Sequence, residues 1–250
     1  MYEYGADFYR YLASFAVRSA RVVVPRLTAF LPVRSVADFG CGQGAWLSVW
    51  QSAGASVVGV DGPYVDPRRL LIDVAAFHAA DLAEPIDLGR RFDLVQSLEV
   101  AEHLPATKAA QFIATLTEHG PCVLFSAATP GQGGENHINE QPLDYWRAIF
   151  RSRGYVAIDC LRPQLVNNAA VGPSYRYNMM LYVNDAHLAL LPEAVRACRV
   201  RDGAALDDYR PFSYRLRSAL IRRLPPEAVN RLSRLKASLA AKAAGAVGSG

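Results

Sequence analysis

Closely spaced cysteines are missing from this chain. Cys41, Cys122, Cys160 and Cys198 stand far apart, with no C-x-x-C pair. That excludes a zinc ribbon or a dense disulfide framework and fits reduced thiols in a cytoplasm. No apolar run is long enough to span a bilayer, and the opening Met1-Tyr2-Glu3-Tyr4-Gly5-Ala6-Asp7 is acidic and aromatic where a secretory leader is basic and then apolar. We therefore expect an intracellular, cytoplasmic protein without a transmembrane segment. Internal repeats are also missing. Nor is the chain poor in core-forming residues: of its 250 residues 51% are hydrophobic and 20% charged, which suits one large α/β domain with an appendage better than two equal domains.

The charge present is unevenly placed. Residues 196–250 hold 12 of the 27 Lys and Arg but only 4 of the 23 Asp and Glu, so a basic tail follows a mildly acidic body. Such a tail is read first as a solvated helical face, and an acidic body argues against nucleic acid as a partner.

Read in order, residues 7–29 show a loosely helical pattern with Phe8, Leu12, Phe15, Val22 and Leu27, expected to pack across the domain or cover its site. Strands are expected over 33–39, 56–61, 77–81, 92–97 and 122–127, and helices over 45–53, 107–116 and 143–153. Segments 156–161 and 177–183 are expected to pair as an antiparallel edge hairpin. The expected fold class is therefore α/β: a doubly wound, mostly parallel, seven-stranded Rossmann-like sheet with a helical C-terminal extension. Three parts follow: a helical cover over 1–32, a nucleotide-binding domain over 33–185 and a basic helical extension over 186–250. In the extension Val229, Leu232, Leu235 and Leu239 share a helical face, which should dock on the same chain or on a second copy, as in a homodimer, with membrane contact as the minority reading. The small-residue end from Ala243 to Gly250 is expected to fray.

The densest functional signal is Asp38-Phe39-Gly40-Cys41-Gly42-Gln43-Gly44, between a strand and a helix. Glycines there let the backbone turn sharply and approach a ligand. Asp61 ends the second strand, 21 residues past Gly40, where a carboxylate can accept from two ribose hydroxyls. Gly40-x-Gly42-x-x-Ala45 also satisfies the dinucleotide fingerprint, so an NAD-dependent oxidoreductase stays open, as does a noncatalytic cofactor-binding protein. Asp38 separates the readings, because it can accept from a cationic amino group that nicotinamide cofactors lack.

With these residues the chain resembles the class I S-adenosylmethionine-dependent methyltransferases over roughly residues 33–183. The resemblance implies cofactor contacts from Asp38, Gly40, Gly42, Gly44, Asp61, Asp81, Leu82 and Ser97, with Asp81 facing the adenine amine. Phe92-Asp93-Leu94-Val95-Gln96-Ser97-Leu98-Glu99-Val100-Ala101-Glu102-His103-Leu104-Pro105 resembles the family's fourth-strand motif. Within it Glu99-x-x-Glu102-His103, with His137 after the fifth strand, is similar to the element of metal-dependent O-methyltransferases of ubiquinone biosynthesis and of small RNA. That implies Glu99, Glu102, His103 and His137 as ligands to Mg²⁺ or another divalent metal, and His103 or His137 as base to an acceptor hydroxyl. The basic surroundings of the RNA enzymes are not evident, so the expected partner is a small-molecule acceptor such as a sugar, polyketide or other secondary metabolite. Tyr145, Trp146, Tyr175 and Tyr177 are the aromatic residues expected to wall its pocket. A metal-independent N- or C-methyltransferase is the alternative, since Glu-His-Leu-Pro is common there too.

Overall fold

The computed structural model describes the backbone of residues 6–247 and the side chains of 15–236, 238 and 239. Helix α1 (Ala6–Thr28) leads into β1 (Ser35–Phe39), α2 (Ala45–Ser52), β2 (Ser56–Asp61), β3 (Phe77–Ala79), β4 (Leu94–Leu98), α3 (Ala109–His119), β5 (Cys122–Ser126), α4 (Leu143–Ser152) and β6 (Tyr155–Ile158). The short helices α5 (Arg162–Leu165) and α6 (Pro173–Asn178) precede β7 (Met180–Asn184). Then follow α7 (Asp185–Leu188), α8 (Glu193–Arg196), α9 (Phe212–Ile221) and α10 (Pro226–Val247). The side chains of Phe8 and Leu12, the first five residues and Gly248–Gly250 lie outside what is described.

One seven-stranded sheet runs β3-β2-β1-β4-β5-β7-β6. All neighbours are parallel as far as β5, and β7 runs antiparallel to both β5 and β6. β4 and β5 are buried at every position, because a central parallel strand is covered on both faces and so tolerates a continuous apolar run. Strand alternation then feeds two cores. Val36, Leu94 and Leu124 pack under Val23 and Leu27 of α1 and Trp50 of α2, while Ala37, Val95 and Val123 pack under Phe112 and Leu116 of α3 and Phe150 of α4.

Two expected boundaries need correction, and the edge pairing gains detail. Tyr177 and Asn178 close α6 rather than opening a strand, because Pro173 starts a helical turn that carries through them. The expected antiparallel edge pair is present, with β6 as the edge strand and β7, apolar on both faces, inserted between it and β5. α3 starts at Ala109, after Pro105 and a 3₁₀ turn at Ala106–Lys108.

The basic C-terminal segment is not a free tail. α10 lies along α1, and α9 and α10 also pack on the loop after β5, the segment from Pro130 to Gln141. Among the described residues no helix is long and apolar enough to cross a membrane. The four cysteines are unpaired.

Candidate active site

The parallel strands β1, β2, β4 and β5 end on one rim, and the singled-out residues collect there. Gly40, Gly42 and Gly44 all have positive φ, at 92°, 53° and 78°. A Cβ on Gly40 would stand 2.2 Å from a Val100 methyl, so glycine is required by space as well as by angle. Asp61 secures the turn: its Oδ2 accepts from the Gly42 amide at 2.6 Å, and its Oδ1 accepts from the Gly62 amide at 2.7 Å and from the Tyr64 hydroxyl at 2.5 Å. Two of those donors are backbone. Tyr64 is 73% exposed, so its hydroxyl is the donor that a ligand hydroxyl can replace.

Asp38 lies inside β1, opposite Gln96 of β4. Gln96 donates from Nε2 to Asp38 Oδ2 at 2.7 Å, and its own Oε1 accepts from the Trp50 indole at 2.8 Å, which fixes which way the amide points. Burial pushes Asp38 up to about 7, with Gln96 opposing and Asp61 adding to the rise. A carboxyl held this far above its ordinary range becomes fully ionised when a cationic group is set beside it. Leu82 and Ser97 are buried, and the Ser97 hydroxyl has no hydrogen-bond partner. Asp81 sits on the surface past β3, its Oδ1 accepting from the Ala83 amide at 2.9 Å in an Asx turn.

A second cluster follows β4. Glu102, His103 and His137 each offer a ligand atom within 4.8 Å of the others. Neither oxygen of the fully buried Glu102 carboxylate has a hydrogen-bond partner of good geometry. Burial, then repulsion from Glu99, hold it well above the usual carboxylate range, against weak help from the backbone amides of Glu102 and Ala128. The two imidazoles are aimed by their Nδ1 atoms. His103 Nδ1 lies 3.2 Å from the Asn136 carbonyl and His137 Nδ1 lies 2.9 Å from Glu140 Oε1, so each Nδ1 is engaged as a donor and each Nε2 is left for another partner. Although His103 has a side open to solvent, the protein around its ring, then His137, push it down to about 4, and it is neutral near pH 7.

The loop that carries His137 is held from both sides. Glu140 accepts from the Gly131 amide at 2.7 Å and the Gly133 amide at 2.8 Å, and the Glu102 carbonyl accepts from the Ile138 and Asn139 amides. From outside, Arg217 donates to the Gln132 carbonyl, Arg222 to the Pro130 carbonyl, and Arg234 pairs with Glu135.

Glu99, expected as a fourth ligand, stands apart from this group. Its backbone turns left-handed at φ 58°, re-aiming the side chain toward Gln132 Nε2 at 2.6 Å and Asn178 Nδ2 at 3.4 Å. Burial raises it, and Gln132, Ser126 and Asn178 oppose the rise. Of the expected aromatic walls, Trp146 is core against Phe125, with Tyr145 edge-on to it. Tyr175 meets Trp46 edge-on, and Tyr177 meets Tyr214 of α9. Gln96, Glu140, Tyr64 and Tyr214 were not anticipated. A glutamine inside an apolar strand and a glutamate three residues past a histidine were the available signals for the first two; nothing local marks the others.

Comparison with known proteins settles the family. The sequence profile of a methyltransferase domain matches residues 12–159, more than half of the chain. The chain belongs to that family. That family is the class I S-adenosylmethionine-dependent methyltransferases. The NAD-linked reading that the glycine spacing left open falls with this, and β7 inserted between β5 and β6 departs from the classic dinucleotide strand order. Over 117 residues this methyltransferase is 35% identical to a ubiquinone biosynthesis O-methyltransferase of Methylobacterium nodulans, a match covering 42% of the chain and 44% of that protein. The matched part is thus less than half the length of that curated relative. Among solved structures, DesVI of Streptomyces venezuelae superposes with a TM-score of 0.56 at 17% identity, covering 73% of this chain and all of that one. The sugar N-methyltransferase KedS8 of Streptoalloteichus sp. ATCC 53650 gives 0.51 at 19%, covering 74% and 96%. Both likenesses show the fold alone.

The rim fits the cofactor of this family. The cradle at Gly40 is one a Cβ would fill, Asp38 is poised to ionise beside an ammonium, Asp61 is backed by two amides, and the buried Ser97 hydroxyl lacks a partner.

Proposed function

We propose that this methyltransferase O-methylates a hydroxyl of a small molecule, with a divalent metal held by Glu102, His103 and His137. The observation that carries the reading is the convergence of two imidazoles, each with its Nδ1 already engaged, on a buried carboxylate with two unpartnered oxygens. Structural histidine clusters rarely leave a buried acid without a donor, whereas a cation satisfies all three groups together. A metal bound there would lower the pKa of an acceptor hydroxyl. Bound S-adenosylmethionine supplies a sulfonium methyl for in-line displacement.

In this reading Asp38 takes the cofactor ammonium, and Gln96 and Trp50 hold its carboxylate in place. Asp61 takes the ribose hydroxyls, exchanging the Tyr64 hydroxyl for one of them. Gly40, Gly42 and Gly44 let the backbone close on the methionine part, while Asp81 and Leu82 border the adenine. Glu140 fixes the His137 tautomer as a carboxylate behind a ligating imidazole does. Glu99, outside the metal group, faces the same rim with Gln132, Asn178 and Tyr214, where it can hold the acceptor. The similarity to the ubiquinone O-methyltransferase supports oxygen as the methylated atom, while the sugar-enzyme likeness, being one of fold, does not choose the atom.

The test is methyl transfer from labelled S-adenosylmethionine to a panel of hydroxylated small molecules. Turnover that is lost in EDTA and restored by Mg²⁺ or Mn²⁺ is expected. His137→Ala and His103→Ala should lose turnover while S-adenosylhomocysteine affinity stays. Full activity of both variants in EDTA refutes the metal reading, and product carrying the methyl on nitrogen or carbon refutes O-methylation.

A further inference from the structure

Helices α9 and α10 are inside out. On α9 the residues turned to the body are Tyr214, Ser218 and Ile221, and Ser218 is the only fully buried residue of the helix. Its row at spacing four, Phe212, Leu216 and Leu220, faces solvent. On α10, which lies along α1, Val229 and Asn230 meet the 130–136 loop, while Leu232, Leu235 and Leu239 beside them stay exposed. These six apolar side chains are 47% to 72% exposed. A helix that merely docks on its own domain turns its apolar row inward, so both helices are built for something outside the described chain.

The charge around the two rows says what that is. Residues 211–239 carry seven Arg and Lys and a single acid, Glu227. Arg217, Arg222 and Arg234 reach inward to the loop, whereas Arg215, Arg223 and Arg231 are exposed beside the leucines. Leucine and phenylalanine rows bordered by arginine match the boundary between acyl chains and anionic headgroups. Two-fold pairing of this face with a second copy would instead set arginines against arginines.

We propose that the α9–α10 face is a docking surface for an anionic lipid bilayer. It lies outside the matched methyltransferase domain and does not depend on the metal or acceptor assignments. A membrane seated there lies about one helix diameter, about 10 Å, from the loop that carries His137.

The full chain is sedimented with vesicles of phosphatidylcholine alone and of phosphatidylcholine with phosphatidylglycerol. Binding to the anionic vesicles, release by salt and little binding to the neutral ones are expected. L216Q/L220Q and R215E/R223E should each cut partitioning about tenfold or more, since each basic residue near the surface is worth about fivefold. Melting temperature and S-adenosylhomocysteine affinity should stay unchanged, because these side chains face solvent. No binding to anionic vesicles, or equal binding to both kinds, overturns the proposal. So does a wild-type dimer in analytical ultracentrifugation that L216Q/L220Q converts to monomer, which makes the face a self-interface.

Discussion

Replacing Glu102 with methionine should stabilise the metal-free protein and destabilise it relative to wild type once metal is present. The Glu102 side chain is fully buried and neither oxygen finds a partner. Leaving a polar group in that state costs about 1–3 kcal/mol. Methionine has a similar volume and no polar atom to satisfy, so most of that cost should be recovered. For a chain of this size each kcal/mol moves the melting temperature by about 2–4 °C, which predicts a rise of about 2–12 °C in EDTA. Adding Mn²⁺ at about 1,000 times its dissociation constant should stabilise the wild type by about 4.1 kcal/mol and leave the variant unmoved. The order of the two melting curves should therefore invert between chelator and metal in scanning calorimetry. A purely structural Glu102 gives the opposite pattern: the variant melts lower in EDTA, and Mn²⁺ has the same effect on both. Either result would sink the metal assignment.

Glu140→Gln keeps the shape but offers one acceptor oxygen where three donors converge, so metal affinity by calorimetry should fall about 10–100-fold; a change within twofold would show that Glu140 only braces the loop. Gln96→Leu strands the Trp50 indole and the Asp38 carboxyl, which predicts a loss of about 2–4 kcal/mol in urea unfolding together with weaker S-adenosylhomocysteine binding. Lost stability with unchanged binding would mean that Gln96 does not position Asp38 for the cofactor. Asp38 itself is raised from 3.8 to about 7, so its contribution to stability declines as pH climbs through that window, the fold favouring the protonated form. A ligand ammonium favours the anion instead. Below pH 7 S-adenosylhomocysteine binding should therefore release a proton, seen as a binding enthalpy that varies with the ionisation enthalpy of the buffer, and a buffer-independent enthalpy at pH 6 would refute the pairing.

The glycine turn and the acid at the end of β2 were legible in the sequence because they are local. Positive φ at Gly40 to Gly44 and an acid at the end of β2 are written into short spans, and strand alternation carries them to one rim. The clustering of the proposed metal-binding residues was legible only in part. Spacing by three and four presumes an unbroken turn, and the left-handed backbone at Glu99 breaks it, sending that carboxylate to Gln132 and Asn178.

By itself the sequence determined the α/β class, the order of nearly every strand and helix, the glycine cradle with Asp38 and Asp61, and the basic bias of the last quarter. Periodicity, turn chemistry and charge are properties of neighbours in the chain, so they need no tertiary contact to be read. Only the tertiary structure decided that β7 sits inside the sheet, that Glu102 joins His103 and His137 without Glu99, and that α9 and α10 clamp the His137 loop while facing their leucines outward. Each of those depends on which of two possible faces a segment turns to a partner distant in sequence. Composition shows that a helix has two faces, and packing chooses between them.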